Sequence, residues 1–197
     1  MSIVVENLSL SFNGQPVLKQ LSLTLPERGV VCLFGPSGCG KTSLFRCLLG
    51  LQKPDHGTIS GLNGFRPAVV FQEDRLLPWL SAVDNVALVR EGDTARARAA
   101  LALVELDAAA DKLPAELSGG MRRRVAIARA LAYDGDPLFL DEPTNGLDAD
   151  LAARVMQVLT AKRARQLILL ITHERALAER YAQQIIELPV NAAAPPA

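Results

Sequence analysis

The chain has 197 residues, 49% of them hydrophobic, and its 21 Lys plus Arg are balanced by 21 Asp plus Glu. That length suits one domain burying roughly seventy per cent of its unfolded surface. The balanced charge excludes a broad field that would draw in nucleic acid or acidic lipid, so partners must be recognised locally.

Cys32, Cys39 and Cys47 form no even disulfide framework and lack the paired spacing of a zinc site, which points to a reducing compartment. The N-terminal MSIVVENLSLSF has neither the basic start nor the apolar block of a signal peptide, and the longest purely apolar stretches are strand-sized. The chain is therefore expected to stay in the cytoplasm and not to span a membrane by itself.

Strands are predicted around Ile3 to Phe12, around Leu18 to Leu25 and over the apolar run VVCLF at 30–34, the last buried on both faces as in a parallel sheet. A helix follows over KTSLFRCLLG, 41–50, where Leu44, Phe45, Leu48 and Leu49 fall at helical spacing. Segment 57–72 carries turn glycines at Gly57, Gly61 and Gly64 and ends in a short strand, AVVFQ. From about 75 to 132 the pattern is helical, with alanine-rich stretches such as TARARAALALVEL; two more buried strands are predicted in PLFLDE, 137–142, and LILLITH, 167–173. The whole reads as a single α/β sheet domain, 1–197, interrupted by a helical insert and ending in a tail, 190–197, that should fray.

The strongest motif is GPSGCGKT, 35–42, a phosphate loop with Gly35, Gly40, Lys41 and Thr42 in register, a strand before it and a helix after. Glycines let successive backbone amides turn inward around phosphates, and the helix N-terminus adds partial positive charge. The nucleotide-binding set is Gly35, Pro36, Ser37, Gly38, Cys39, Gly40, Lys41, Thr42 and the adjoining Ser43; Lys41 reaches the β- and γ-phosphates and the Thr42 hydroxyl ligates magnesium. Cys39 reads as a small filler of the loop, since nothing near it in sequence would resolve an oxidised thiol.

A nucleotide loop needs an acidic arm, and LFLDEP, 138–143, ends a buried strand in Asp141 and Glu142, where ligands bind in open α/β sheets. Asp141 is expected to hold magnesium, directly or through water, and Glu142 to accept the proton of an attacking water or polarise it. His173 ends LILLITH and is placed to touch the γ-phosphate from a third direction, although a lone histidine is more often a surface residue. A second anion site is written in LSGGM, 117–121: Ser118, Gly119 and Gly120 begin a periodic helix, with amides and a hydroxyl aimed at an anion.

Together these motifs resemble the ATP-binding subunits of ABC transporters, with nearly the whole chain covered in order by Phe12, GPSGCGKT, Gln72, LSGGM, LFLDE, Asp148 in NGLD, and His173. The resemblance implies a phosphate-loop NTPase sheet core, an N-terminal antiparallel β subdomain and an inserted helical subdomain. It implies that Phe12 stacks on adenine and that Gln72 senses magnesium and the attacking water. It also implies that Ser118, Gly119 and Gly120 meet the γ-phosphate bound by a second, identical subunit, that Asp148 faces that subunit, and that two ATP molecules are sandwiched head to tail.

The stretch EDRLLPWLSAVDNVALV, 73–89, follows Gln72 with an apolar cluster, Leu76, Leu77, Trp79 and Leu80, that reads either as core of the insert or as the groove for a short cytoplasmic helix of a membrane permease. In the family that groove lies here, which implies a peripheral place at the cytoplasmic face of the membrane and, indirectly, an external solute-binding protein. The wording FQEDRLLPWLSAVDNV is similar to the importer subgroup for nitrate, sulfonates and taurine. A soluble ATPase of the same family acting on DNA or ribosomes shares the nucleotide motifs, but such proteins usually fuse two copies or insert long coiled coils; a phosphate-loop kinase would not need LSGGM.

Departures from the family pattern accompany the matches. Met121 stands where many members carry glutamine, and Arg123 replaces a frequent glutamine. Arg122, Arg123 and Arg124 form a charge run that reads either as serving the second anion site at the start of their helix or as an ordinary solvated helix face; with no aromatics interleaved, nucleic acid is not the expected partner. The first two positions of NGLD, Asn145 and Gly146, differ from the commoner forms. The chain stops soon after His173, so a regulatory C-terminal domain is expected to be lacking.

Overall fold

The structure, a computed structural model, describes residues 2–62, 64–161 and 164–188; the tail expected to fray, 190–197, lies outside the described residues. In chain order the elements are β1 (Ile3–Phe12), β2 (Gln15–Leu25), β3 (Gly29–Phe34), α1 (Lys41–Leu48), β4 (His56–Ser60), β5 (Ala68–Val70), α2 (Ala82–Ala87), α3 (Thr94–Leu103), α4 (Gly119–Tyr133), β6 (Leu138–Asp141), α5 (Ala149–Thr160), β7 (Leu167–Thr172), α6 (Arg175–Tyr181) and β8 (Gln184–Glu187). They fall into two units, one of Met1–Phe65 with Arg163–Ala197 and one of Arg66–Lys162.

The first unit holds an antiparallel sheet in the order β2-β1-β4 and a parallel group in which β3 lies between β7 and β8. Along β1 the buried residues change from Ile3 and Val5 to Leu8 and Leu10, a switch of parity that simple alternation forbids. The cause is an irregularity in the ladder between Val5 and Leu8, where Asn7 adopts φ 49. β3 is buried from Gly29 to Leu33 and pairs in parallel with β7, itself buried throughout, as expected for its continuous apolar run. Two strands escape the sequence reading: β4, HGTIS, and β8, QIIE, have no fully buried residue, so hydrophobic pattern does not announce them.

In the second unit β5 and β6 run parallel, with Val70 opposite Leu140. α2, α3 and α4 pack on one another around Val86, Ala97, Leu101, Val125 and Ile127, the alanines allowing close approach. Helix begins only at Ala82, later than the residue-75 start expected for the insert. The preceding loop is organised by Asn85, which is fully buried: its amide nitrogen donates to the carbonyls of Leu77 (3.1 Å), Leu80 (2.9 Å) and Ser81 (3.0 Å), and its Oδ1 accepts from the Leu77 amide at 2.7 Å. The strand expected over AVVFQ ends at Val70, leaving Phe71 and Gln72 beyond it. The molecule is thus an α/β protein with parallel core strands, an antiparallel β region and a helical subdomain, as the sequence implied.

Candidate nucleotide site

In the first unit the phosphate loop follows β3 and enters α1 through Gly40, the N-cap, at φ 100 and ψ 6 with no side-chain cap. The Lys41 ammonium folds over the loop, donating to the carbonyls of Gly35 at 2.6 Å and Pro36 at 2.8 Å, and Lys41 is itself buried. Pro36, Ser37 and Gly38 are exposed, whereas Cys39 is buried beneath the loop; a Cβ on Gly35 would come within 2.7 Å of its sulfur, which fits the filler role. Thr42 and Ser43 are half-buried in the first turn of α1. Phe34 and Thr172 are register partners, so Gly35 and His173 leave neighbouring strand ends, and His173 is exposed there. Phe12 is the last residue of β1 before the Asn13-Gly14 turn and is 42% exposed, an aromatic at a hairpin end and not in the core.

In the second unit the same logic joins three other candidates. With Val70 and Leu140 in register, the segment from Phe71 to Gln72 and the pair Asp141 and Glu142 leave adjacent strand ends. Asp141 is buried, Glu142 half-buried and Gln72 exposed. Glu142 adopts φ 47, a left-handed conformation rare for a residue with a side chain and costing on the order of 1 kcal/mol or more.

Ser118 caps α4, its hydroxyl accepting from the Met121 amide at 3.2 Å, and Ser118 and Gly119 are exposed. Gly120 sits against the NGLD turn: a Cβ there would lie 2.8 Å from the Gly146 carbonyl oxygen. Asp148 is exposed and caps α5, its Oδ1 accepting from the Leu151 amide at 2.9 Å. The LSGGM turn, called the signature turn below, and the NGLD turn are therefore neighbours. Of the apolar cluster after Gln72, Leu76, Leu77 and Leu80 are half-buried, and Trp79 is 71% exposed.

The arginine run corrects the solvated-face expectation. Arg122 donates to the Leu117 carbonyl at 2.7 Å, and Arg124 to those of Val104 at 3.0 Å and Glu105 at 2.6 Å. Arg123 is 2% exposed, and its guanidinium donates to the carbonyls of Phe71, Gln72 (3.2 Å), Asp141 (2.6 Å), Glu142 (2.6 Å) and Pro143 (3.2 Å), with Asp74 Oδ1 at 3.4 Å. Burial pushes the Arg123 guanidinium below its ordinary range, while Asp74, Asp141 and Glu142 pull it back. A signal for this existed: positions 123, 126, 127 and 130 lie at helical spacing on one stripe, and Ala126, Ile127 and Ala130 are buried.

Among the described residues no cluster of three His, Cys, Asp or Glu side chains is arranged to hold a metal, and no helix is long and apolar enough to cross a membrane. The profile of the ABC transporter family matches residues 18–145. The chain is 45% identical over 192 residues to a taurine import ATP-binding protein of Pseudomonas aeruginosa, covering 87% of this chain and 72% of that one. It is 42% identical over 190 residues to an aliphatic sulfonates import ATP-binding protein of Paraburkholderia xenovorans, covering 94% and 76%. A dimeric ATP-binding cassette in a post-hydrolysis state with ADP and Pi superimposes with a TM-score of 0.86 at 29% identity, over 94% of each chain. With its phosphate loop, acidic strand end and capped LSGGM helix, this chain belongs to the ABC transporter family as an ATP-binding, ATP-hydrolysing subunit.

Proposed function

We propose that the chain powers uptake of a small organic solute of the sulfonate class, taurine being an example, by ATP-driven closure of a homodimer against membrane permease subunits. The observation that carries this reading is the identity of 45% and 42% to taurine and aliphatic sulfonates import ATP-binding proteins over most of the chain. An external binding protein delivers the solute, and the subunit sits peripherally at the cytoplasmic face.

In this reading residues 35–43 hold the phosphates, and Lys41 exchanges loop carbonyls for phosphate oxygens. Thr42, Asp141 and Gln72 offer a hydroxyl, a carboxylate and an amide oxygen, hard donors suited to magnesium but too few to bind it without the nucleotide's own oxygens. Magnesium, when bound, neutralises charge between the β- and γ-phosphates. Glu142 takes the proton of the attacking water, Gln72 orients that water, His173 touches the γ-phosphate, and Phe12 offers adenine a stacking face. Ser118, Gly119 and Gly120 close on the nucleotide of the second subunit, with Asp148 beside them. Leu76, Leu77, Trp79 and Leu80 receive the permease helix.

The test is to purify the tagged chain with its membrane partner, reconstitute it in liposomes with the binding protein, and follow ATP hydrolysis as alkanesulfonates are supplied. Taurine or a related sulfonate should stimulate hydrolysis, and Glu142→Gln should lower the rate about a hundredfold or more while ATP binding persists. Recovery of the chain with nucleic acid and no permease would overturn transport. Stimulation by unrelated solutes alone would overturn the sulfonate class, and full hydrolysis by Glu142→Gln would overturn its catalytic role.

A further inference from the structure

We infer that Arg123 is a positioning residue for hydrolysis: one buried guanidinium on the signature helix ties the backbone that carries Gln72 to the backbone turn that carries Glu142. This rests on the catalytic reading of Glu142 given above and adds to it how that carboxylate is held.

The geometry begins with an unusual conformation. Glu142 stands at φ 47 at the end of β6, and the Asn145 amide donates to its carbonyl at 3.2 Å, which supports the turn from one side. Arg123 supplies the other side, with Nη2 reaching the Asp141 and Glu142 carbonyls at 2.6 Å each and Nε reaching the Pro143 carbonyl at 3.2 Å. A planar guanidinium presents its N–H groups in a fixed fork, so the three successive carbonyls can satisfy it only in one arrangement of the turn. The remaining nitrogen, Nη1, faces the other way, to the carbonyls of Phe71 and Gln72 and to Asp74.

The Gln72 segment is braced further along the same helix. Arg129 donates to the carbonyls of Asp74 and Arg75 at 2.8 Å each, and the Arg75 guanidinium lies 4.0 Å from the centroid of the Phe71 ring, closing the loop on itself. α4 begins at the Ser118 cap, so the turn that presents LSGGM and the two backbone segments presenting Gln72 and Glu142 share one rigid fixture. A glutamine at position 123 has a single amide with two N–H groups and cannot reach both segments at once. The arginine is thus a device of this chain's own sequence, and its removal should disturb where Glu142 points before it disturbs whether nucleotide binds.

The experiment compares Arg123→Gln, Arg123→Lys and Arg123→Met with wild type and with Glu142→Gln. For each, the purified chain is titrated with a fluorescent ATP analogue to count competent sites, and Mg-ATP turnover is expressed per bound nucleotide. Arg123→Met and Arg123→Lys should lose about tenfold or more in kcat with KM for ATP within about threefold, and Arg123→Gln should fall between them and wild type. A purely structural role would lower the number of binding sites and leave turnover per bound nucleotide unchanged. If Arg123→Met does not fold, Arg123→Lys, which keeps stem and charge, carries the comparison. Wild-type kcat per bound nucleotide in the lysine and methionine variants, with Glu142→Gln inactive, would overturn the positioning role alone. Full turnover by Glu142→Gln would bring down the catalytic reading on which it stands.

Discussion

The two glycine-bearing turns of this protein, GPSGCGK and LSGGM, both open a helix, and they are built by opposite means. In the first, Gly40 occupies the N-cap in a left-handed conformation and no side chain caps α1. In the second, Ser118 is extended and caps α4 through its hydroxyl, and Gly119 and Gly120 are already helical. The phosphate loop therefore needs glycine for backbone angle and for closeness together, and the signature turn needs it for closeness alone, since Gly120 lies against the Gly146 carbonyl. The same residue type, within two residues of a helix start, answers different physical demands.

The sharpest way to break the comparison is Gly40→Ala. A Cβ there would meet the Leu18 Cδ2 at 2.7 Å and the Val17 carbonyl oxygen at 3.2 Å, and the left-handed φ of 100 adds strain that no rearrangement of neighbours removes. ATP affinity should fall about a hundredfold or more, with a lowered melting temperature. Gly38→Ala, at φ 81 but facing open space, should suffer from the backbone strain alone and lose less. A nucleotide titration ranks the two variants, and equal affinities would show that angle, not closeness, governs the whole loop.

On the signature side the expected order is different. Gly120→Ala must push back a carbonyl 2.8 Å from the new methyl, an overpacking cost of about 1–3 kcal/mol, while Gly119→Ala has only the Arg122 Nη2 at 4.0 Å. Thermal melting should fall by several degrees for Gly120→Ala and stay level or rise slightly for Gly119→Ala, whose alanine favours helix. A Gly120→Ala protein that melts as wild type would mean the NGLD turn yields freely, and the closeness argument would fail.

The contrast also explains what could be read in advance. Phosphate chemistry demands residue types at fixed spacing, so the loop, the acidic strand end and LSGGM stood out, and parallel pairing then sets Gly35 beside His173 and Gln72 beside Asp141 and Glu142 at neighbouring strand ends. What stayed hidden depends on tertiary surroundings. Arg123 belongs to a run of three arginines, and composition alone makes such a run a solvated face; only the stripe it shares with Ala126, Ile127 and Ala130 marks it as buried. β4 and β8 were hidden because polar edge strands bury too little to show a period, and the parity switch at Asn7 lies in the ladder and not in any residue preference.

The smallest expected effect sharpens the comparison from outside the turns. The phosphate loop closes Lys41 onto its own carbonyls, whereas the signature helix leans on a neighbour: Arg124 donates to the Glu105 carbonyl, and the Glu105 carboxylate receives Arg154 of α5 in a fork, at 2.6 Å to Nε and 3.2 Å to Nη2. The hydrogen bond from Arg154 holds the Glu105 carboxyl below the usual range against desolvation and the charge of Asp148, with the charges of Arg154 and Arg124 acting in the same direction as the bond. Because the folded-state value is depressed, the stabilisation is present above the unfolded value of about 4.3 and is lost as pH falls through the folded one. Both side chains are about half exposed, at 53% for Arg154 and 51% for Glu105, so solvent screens the pair strongly. Glu105→Gln should therefore lower the melting temperature at pH 7 and low salt by no more than about 2 °C. The difference from wild type should narrow as the pH falls below the unfolded value and through the folded one, where the wild-type carboxyl takes up its proton, and should also shrink in about 0.5 M salt. A gap that is constant across pH and salt would show that Glu105 supports α4 through its backbone carbonyl and packing alone, with its charge idle.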